Sequence, residues 1–401
     1  MSSVIAGLGA LVGAFLVAGA AFAQSPPAPD TANALTEVRA DIQARADRGI
    51  YPITGMNPSD ARQVLSRLTS MDKDEWAREW SAQADRYMEQ ARSLEKSDKA
   101  AARDAYLSAW RLYMFGAWPA RTSPGKEAAY RASIAAYREY GRLQDPPMQV
   151  VKIPFEGSEI VGYLRLPAGV ARAPVVISMG GLDEFKEFSA LNFDPAALAQ
   201  GFGTFAVDMP GTGESPVKME LGSERVFTAM IDALSAMPTV DPSRIGIFGA
   251  SAGGYWAALA AYREPKRLKA AVALGAPTDH YFDEDWQRQS WGTKEYLFGL
   301  KEARMFVYGT SDEASFLSKL KTFSLKTRGI LDQPSAPMLV ANGAKDTQVP
   351  IADLYLLLAT GSPKYAWVSA KAGHTGMAPG VTPDMVDREV VAPWLAQQFA
   401  R

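Results

Sequence analysis

Apolar positions recur at two different spacings along the chain, and the spacing changes near Pro147. From about residue 34 to that point, large apolar side chains return every three or four positions, which is the period of an amphipathic helix. Asp72 and the Ser123-Pro124 pair provide helix caps before two such stretches. This pattern predicts a helical domain over 34–147.

Trp and Tyr residues form much of the apolar stripe in this domain. We interpret the stripe as helix-on-helix core. A tetratricopeptide-like binding array is the alternative, because 109–113 resembles 136–140. The offset is 27 residues rather than 34, and no third copy follows.

After Pro147 the pattern becomes that of strands. Met148–Ile153 and Glu159–Leu166 alternate like an antiparallel pair, with Glu156-Gly157 at the turn. Continuous apolar runs then alternate with helical patterns. Such runs, apolar on both faces, are typical of a mostly parallel sheet covered on both sides, so 148–401 is predicted to be a doubly wound α/β domain. The runs are Pro174–Met179, Gly203–Val207, Ile245–Phe248, Ala270–Leu274, Met338–Ala341 and Tyr365–Val368.

The regular order breaks at about 277–333. This insert holds several large aromatic residues among many charges. It follows the sixth strand, at a point where it can cover the strand ends. We therefore expect an aromatic lid over the sheet edge.

The first 23 residues form a separate apolar segment. Val4 to Ala23 carries no charge and ends in a small-x-small site, followed by a Pro/Ala-rich linker over 24–33. This layout predicts a signal peptide cut after Ala23 and an exported protein, periplasmic or secreted. The start lacks Lys and Arg, and the run is long enough to remain as an uncut anchor. After cleavage no stable membrane association is expected.

Composition excludes several classes of protein. The 401 residues carry a net charge of −2, so nucleic-acid binding is not expected. There are no cysteines and only two histidines. Disulfides, thiolate chemistry and a histidine metal site are therefore not expected. The sequence predicts neither a metal nor a cofactor.

Gly249-Ala250-Ser251-Ala252-Gly253 carries the strongest chemical signal. It fits G-x-S-x-G, with a buried-type strand before it and a helix pattern after it. In that context the turn presents the Ser251 hydroxyl above the sheet edge as a nucleophile. The alternative is a small-residue crossing from strand to helix without chemistry.

Ser251 needs a base and an acid. His374 follows the last predicted strand and is the expected base, whereas His280 enters the insert and is interpreted as a pocket or lid residue. Asp346 follows the strand Met338–Ala341 and is the expected acid, and Asp279 is the competing one. The order serine, aspartate, histidine is that of α/β-hydrolases.

An oxyanion hole requires two backbone N–H groups. Ala252, beside the nucleophile, is expected to supply one of them. The loop after the third strand is expected to supply the other, from Gly181 or Leu182. Gly180 and Gly181 would allow the backbone to approach a substrate closely.

These motifs together resemble a known group of α/β-hydrolases. The group includes dihydropseudooxynicotine hydrolase, the fungal pigment-pathway polyketide hydrolases and the fermentation/respiration switch protein. The resemblance covers about residue 34 to the end. It rests on the Trp- and Tyr-bearing helical region and on GGLDEFKEF (180–188), DMPGTGES (208–215), GASAGGYWA (249–257), GAKDTQVP (343–350) and AGHTGM (372–377).

The resemblance implies an α/β-hydrolase fold with an N-terminal helical domain that narrows the pocket. It also implies Ser251, Asp346 and His374 as a catalytic triad. Members of the group split esters, or carbon–carbon bonds next to a ketone, and some use an extra acidic residue near the pocket. The acidic residues in the corresponding region of this chain are Asp279, Asp283, Glu284 and Asp285.

The sequence thus predicts a serine hydrolase that forms an acyl-enzyme on an ester or lactone. A carbon–carbon hydrolase of a β-dicarbonyl or ketone substrate is the alternative. A helical partner-binding protein with a vestigial hydrolase core is the second alternative. The expected partner is a medium-sized, partly aromatic small molecule, and a homodimer stays open. Four residues of the insert are candidates for substrate or lid contacts, namely Asp279, His280, Glu284 and Trp286.

Overall fold

The computed structural model describes residues 31–401, in which a sheet of eight strands forms the centre. The strand order is β1-β2-β4-β3-β5-β6-β7-β8. Strands β3 to β8 run parallel, and the β1–β2 hairpin adds antiparallel to β4. The bounds are β1 Gln149–Phe155, β2 Ser158–Arg165, β3 Ala173–Met179, β4 Gly203–Val207, β5 Val240–Ala250, β6 Ala270–Leu274, β7 Met338–Gly343 and β8 Lys364–Ser369.

Burial along the strands follows their place in the sheet. Every residue of β3, β4, β6 and β7 is buried, as the continuous apolar runs predicted. The expectation of two buried faces is wrong for Tyr365–Val368. These residues belong to β8, an edge strand that is half-exposed along its length.

Helices cover both faces of the sheet, which confirms the predicted α/β fold. They include a π-helical turn over Asp387–Val391. The helices after the hairpin and outside the insert are α6 Lys186–Ala199, α7 Arg225–Ala236, α8 Ala252–Arg263, α12 Ile351–Leu358, α13 Pro383–Val386 and α14 Ala392–Phe399. None of the helices between residues 31 and 401 is both long and apolar enough to cross a bilayer.

Five helices precede the sheet. Asp72 caps α3 through the N–H groups of Asp74 and Glu75, and Ser123 caps α5 through that of Lys126, as predicted. The aromatic stripe packs between helices, with the Trp80 and Phe115 ring centroids 4.7 Å apart. The bounds are α1 Thr31–Arg48, α2 Pro58–Arg67, α3 Lys73–Leu94, α4 Lys99–Ala117 and α5 Pro124–Arg142.

The insert between β6 and β7 contains three short helices, α9 Glu284–Ser290, α10 Leu300–Val307 and α11 Glu313–Lys321. We call this insert together with α1–α5 the cap. The cap and the sheet share one continuous apolar core. The division into two domains near residue 147 therefore stays a prediction about folding units. The predicted signal peptide and residues 24–30 of the predicted linker lie outside the described residues, and α1 begins inside that linker, at Thr31.

Candidate active site

A sharp turn carries Ser251 between β5 and α8. Ser251 has φ 56° and ψ −124°, a conformation that non-glycine residues rarely adopt. A Cβ on Gly249 would lie 2.1 Å from the carbonyl oxygen of Gly253, and one on Gly253 would lie 2.3 Å from that of Gly180. Only glycine fits at these two positions, so the backbone can turn tightly enough to present Ser251 at the carboxyl edge of the sheet.

Ser251, His374 and Asp346 come together at this edge. The Ser251 Oγ lies 2.8 Å from His374 Nε2, and His374 Nδ1 lies 2.7 Å from Asp346 Oδ2. Both His374 and Asp346 are buried. The other Asp346 oxygen accepts the backbone N–H groups of Gln348 and Val349. The carboxylate is thereby fixed where it orients the imidazole, with Nδ1 as the donor.

Neighbouring carboxylates determine the charge state of His374. Burial alone would lower its pKa, and the negative charges of Asp346 and then Glu295 outweigh that effect. The pKa of His374 is therefore raised above its usual 6.5. This environment favours the imidazolium form, which is the form that a general base takes on after it has removed a proton.

The loop after β3 lies against the nucleophile. A Cβ on Gly181 would be 3.0 Å from the Ser251 Cβ and 3.3 Å from its Oγ. Ala252 is buried at the first position of α8. The Gly181 N–H points towards Glu184 Oε2 at 3.5 Å, which is too long for a strong bond. Ala252, Gly181 and Leu182 thus stay the predicted oxyanion donors.

Glu184 is a site residue that the sequence did not single out. Burial, and next the charge of Asp183, raise the pKa of Glu184 to about 8. A carboxyl with this pKa holds a proton at neutral pH. Its position beside the oxyanion loop gives the site an acid in addition to the triad.

Glu295 connects the cap to the base. Its carboxylate accepts the backbone N–H of His374 at 3.0 Å and that of Thr347 at 2.7 Å. A Cβ on Gly373 would lie 1.7 Å from Glu295 Oε1, so this contact requires glycine. The glycine beside the predicted base was the only sequence signal for the contact, and it does not identify the partner.

Asp183 joins three distant segments. Its Oδ2 accepts Tyr51 Oη at 2.6 Å, Trp118 Nε1 at 2.8 Å and Tyr296 Oη at 2.6 Å. Burial raises the pKa of Asp183, and the three donors partly oppose that rise. The oxyanion loop is thereby bonded to both parts of the cap.

A cavity of about 1080 Å³ opens beside His374. Its walls are the end of α1 with the following loop, the insert segment 291–300, and the loop 377–383. The Arg45 guanidinium closes one side by donating to the carbonyls of Tyr51 and Lys294. Trp291, Tyr296 and Phe298 supply an aromatic wall. The aromatic lid thus has a structural counterpart, built by both parts of the cap.

The four residues of the insert that were candidates for substrate or lid contacts do not line this cavity, and their role stays a prediction. Asp279 binds Ser324 and Lys326, so it is not the partner of His374. His280 Nδ1 lies 3.1 Å from Asp353. The segment 277–290 packs against α11 and α12, and only the loop after it reaches the cavity.

The remaining two candidates of the insert also face elsewhere. Glu284 pairs with Arg288 and Lys321 at the surface. The indole N–H of Trp286 donates to the carbonyl of Gln348, which places this ring behind the cavity wall. Among residues 31–401, no group of three or more His, Cys, Asp or Glu is arranged to hold a metal ion.

The parallel sheet with a strained serine turn at its carboxyl edge defines an α/β-hydrolase. Within that class, the family model for the esterase FrsA-like proteins matches residues 53–366, and the chain belongs to this family. The family resemblance inferred from the motifs is thereby confirmed.

Curated relatives are esterases named FrsA. One from Enterobacter sp. (strain 638) is 32% identical over 261 residues, which cover 64% of this chain and 61% of the relative. One from Citrobacter koseri is 30% identical over 332 residues, covering 79% and 78%. The chain thus spans less than two thirds of the first of these relatives.

Solved structures share the fold across most of the chain. The 2,6-dihydroxy-pseudo-oxynicotine hydrolase has a TM-score of 0.72 at 22% identity, covering 90% of this chain and 95% of its own. AbyA5 has a TM-score of 0.65 at 20% identity, covering 92% and 99%. At these identities the likeness concerns the fold alone.

Proposed function

We propose that the protein is a serine esterase. His374 removes the proton from the Ser251 Oγ, which attacks the acyl carbonyl of a carboxylic ester or lactone. The tetrahedral oxyanion accepts the N–H groups of Ala252 and of Gly181 or Leu182. His374 then gives the proton to the leaving alcohol, and water releases the acyl group by the same steps. The two short contacts of His374, with Ser251 and Asp346, carry this proposal.

The cavity supports a medium-sized substrate with an aromatic or apolar part. Its volume of about 1080 Å³ lies just above the roughly 300–1,000 Å³ common for small-molecule sites. The rings of Trp291, Tyr296 and Phe298 offer stacking surfaces. We therefore expect p-nitrophenyl esters with longer or aromatic acyl groups to be hydrolysed faster than p-nitrophenyl acetate.

The test is Ser251→Ala against wild type. We expect loss of p-nitrophenyl ester turnover and of labelling by a fluorophosphonate probe. Ser215→Ala, on a neighbouring loop, is the matched control and should keep both. Labelling retained in Ser251→Ala would contradict the proposal. A wild-type protein with neither turnover nor labelling would favour the partner-binding alternative.

Carbon–carbon cleavage is a second candidate, and Glu184 favours it. This chemistry needs a proton for the departing carbanion, and a buried carboxyl with a pKa of about 8 can hold one at neutral pH. Glu184 does not line the cavity either, but it lies beside Gly181 of the loop after β3, whereas Asp279 and Glu284 pair with lysines of the insert. Glu184→Gln should then reduce the release of acid and ketone from a β-diketone more than it reduces ester turnover.

Export is also part of the proposal, supported by the apolar run and the small-x-small site before Gln24. Expression of the full chain should give a mature protein whose N-terminal sequence begins at Gln24 and which fractionates outside the cytoplasm. An intact Met1 in a membrane fraction would favour the uncut anchor.

A further inference from the structure

A second cavity, of about 360 Å³, lies between α4 and α6. Trp110, Arg111 and Met114 of α4 form one wall, and α6 forms the opposite one with Phe188 and other residues. Among the described residues, Thr54 is the one that lines both this cavity and the cavity beside His374. The smaller cavity is therefore a neighbour of the active site with walls of its own.

Arg111 has no partner in this cavity. Among the described residues it forms no ion pair and no hydrogen bond, and its Nε is buried. Burial lowers the pKa of Arg111, and nearby Tyr140 and Asp104 offset only part of that effect. Arg111 is half-buried, and a cation in this position without a carboxylate in contact is unfavourable unless a ligand supplies one.

The local geometry holds the guanidinium at the cavity. A Cβ on Gly55 would lie 2.7 Å from an Nη of Arg111, and Gly55 has φ +74°. The positive φ of Gly55 favours glycine, and its missing Cβ leaves the guanidinium room to lie against the loop 52–56. The site is therefore built around the arginine by both packing and backbone conformation.

Two further donors at the same cavity are also unsatisfied. The indole Nε1 of Trp110 and the Oγ1 of Thr54 are both buried without a hydrogen-bond partner. Trp110 is only 2% exposed. Buried polar groups are usually paired, so three unpartnered ones around a single cavity indicate a missing acceptor.

The charges around the cavity favour an acceptor with one negative charge. Arg388 and Asp384 also line it and pair with each other at 3.6 Å, and Arg388 contacts Glu389 at 3.3 Å. Within the described part of the chain, Arg111 is therefore the one lining cation that has no carboxylate in contact. A carboxylate matches one guanidinium in charge and in its planar, two-pronged geometry. The apolar walls would cover the rest of such a molecule.

We propose that this cavity binds a small monocarboxylic acid with an apolar or aromatic body, held by Arg111 with Trp110 and Thr54. The site is distinct from Ser251 and does not depend on the proposed esterase activity. Its ligand belongs to the same chemical class as the acids that ester hydrolysis releases.

Calorimetric titration of the full chain carrying Ser251→Ala tests this without turnover. Benzoate, phenylacetate and hexanoate are each compared with the corresponding neutral amide. We expect at least one acid to bind at least tenfold more tightly than its amide, and Arg111→Met to abolish that preference. Arg131→Met, on α5 and paired with Glu127, is the matched control and should leave it unchanged.

Stability provides an independent readout. Arg111→Met removes a cation that has no partner, so its melting temperature without ligand should equal or exceed that of the parent. If Arg111→Met does not fold, Thr54→Val tests the site instead, and we expect it to bind the acid three- to tenfold more weakly. The proposal is overturned if no acid is preferred over its amide, if the preference survives Arg111→Met in a folded protein, or if Thr54→Val is neutral where it must decide. Tighter binding of inorganic phosphate than of any acid would also overturn it.

Discussion

The sheet and the cap contribute to the site in different ways. Ser251, Asp346 and His374 follow the ends of β5, β7 and β8, so the geometry of parallel strands alone brings them to one edge. The cap shares an apolar core with the sheet, and at this edge it adds specific polar contacts. Glu295 binds the His374 loop, and Asp183 binds both parts of the cap. The chemistry thus depends on strand order, whereas the cavity depends on contacts between distant segments.

The largest effect should come from the sheet side. Asp346→Asn keeps the shape of the side chain but removes the charge that orients and stabilises His374. We expect kcat for ester hydrolysis to fall about 10⁴-fold with little change in the melting temperature. Asp279→Asn, the competing acid, should keep kcat within about threefold. If the two variants behaved alike, the assignment of the acid would be wrong.

On the cap side, Asp183→Ala should cost mainly stability. It leaves the donors of Tyr51, Trp118 and Tyr296 buried without an acceptor, so the free energy of unfolding should fall by about 3 kcal/mol or more. KM should rise more than kcat falls, because the cavity wall loosens. Denaturant titration and steady-state kinetics measure both. Asp183→Asn retains an acceptor oxygen, so its free energy of unfolding should lie between those of wild type and Asp183→Ala. Equal stability of all three proteins would show that these hydrogen bonds do not stabilise the fold.

Glu295 tests the connection between the two regions. Glu295→Ala frees the His374 loop, and we expect kcat/KM to fall about 10- to 100-fold, the range typical of lost positioning. Glu295→Gln keeps an acceptor but removes a charge that raises the pKa of His374. The acid limb of its pH profile should therefore move to lower pH. A purely structural role would leave that limb in place.

Glu184 predicts a dependence of stability on pH. Its folded-state pKa of about 8 lies above the usual 4.5, so the folded protein binds this proton more tightly than the unfolded chain does. Stability from this group is complete below pH 4.5 and is lost as the pH rises towards 8, by about 1.4 kcal/mol per unit at most. Denaturation at pH 5 and pH 8 should show the loss. Glu184→Gln should reduce it, and an unchanged slope would contradict the assignment.

The smallest effect is expected at the outer surface of the cap. Glu284→Gln breaks exposed pairs with Arg288 and Lys321, and such pairs contribute about 0–1 kcal/mol. Ester turnover should stay within about twofold of wild type. A marked loss of β-diketone cleavage in this variant would indicate that Glu284, rather than Glu184, takes part in carbon–carbon cleavage.

The same contrast explains what the sequence could predict. The bounds of β4 and β6 agree with the predicted runs, because short buried strands end abruptly at turns. Strand β5 begins five residues earlier than predicted. Its mostly polar start, Val240–Arg244, pairs with β3 only at Val240, so no apolar run marks it in the sequence. The positions of Ser251, Asp346 and His374 followed from the strand ends, and the structure brings them together as expected.

The residues that the sequence missed are polar contacts over long separations. Glu295 lies 79 residues from His374, and no local pattern connects the two. The resemblance points to the acidic residues of the segment after β6, yet this segment packs on α11 and α12. The spacing of apolar residues identifies the buried faces of helices and strands. It does not show which charged residue of a distant loop will contact the active site.

The Asp183 junction has a consequence for how the chain matures. Its three donors are separated from it by 132, 65 and 113 residues, on both sides in sequence. During synthesis the N-terminal helices emerge first, but the junction cannot close until Tyr296 has left the ribosome. Such late, non-local closure slows folding and leaves partly assembled intermediates. The helices α1–α5 therefore stay incompletely stabilised until Tyr296 has been synthesised. A ribosome-stalled chain that ends before residue 296 should be cleaved by protease in α1–α5 more readily than the full-length released chain.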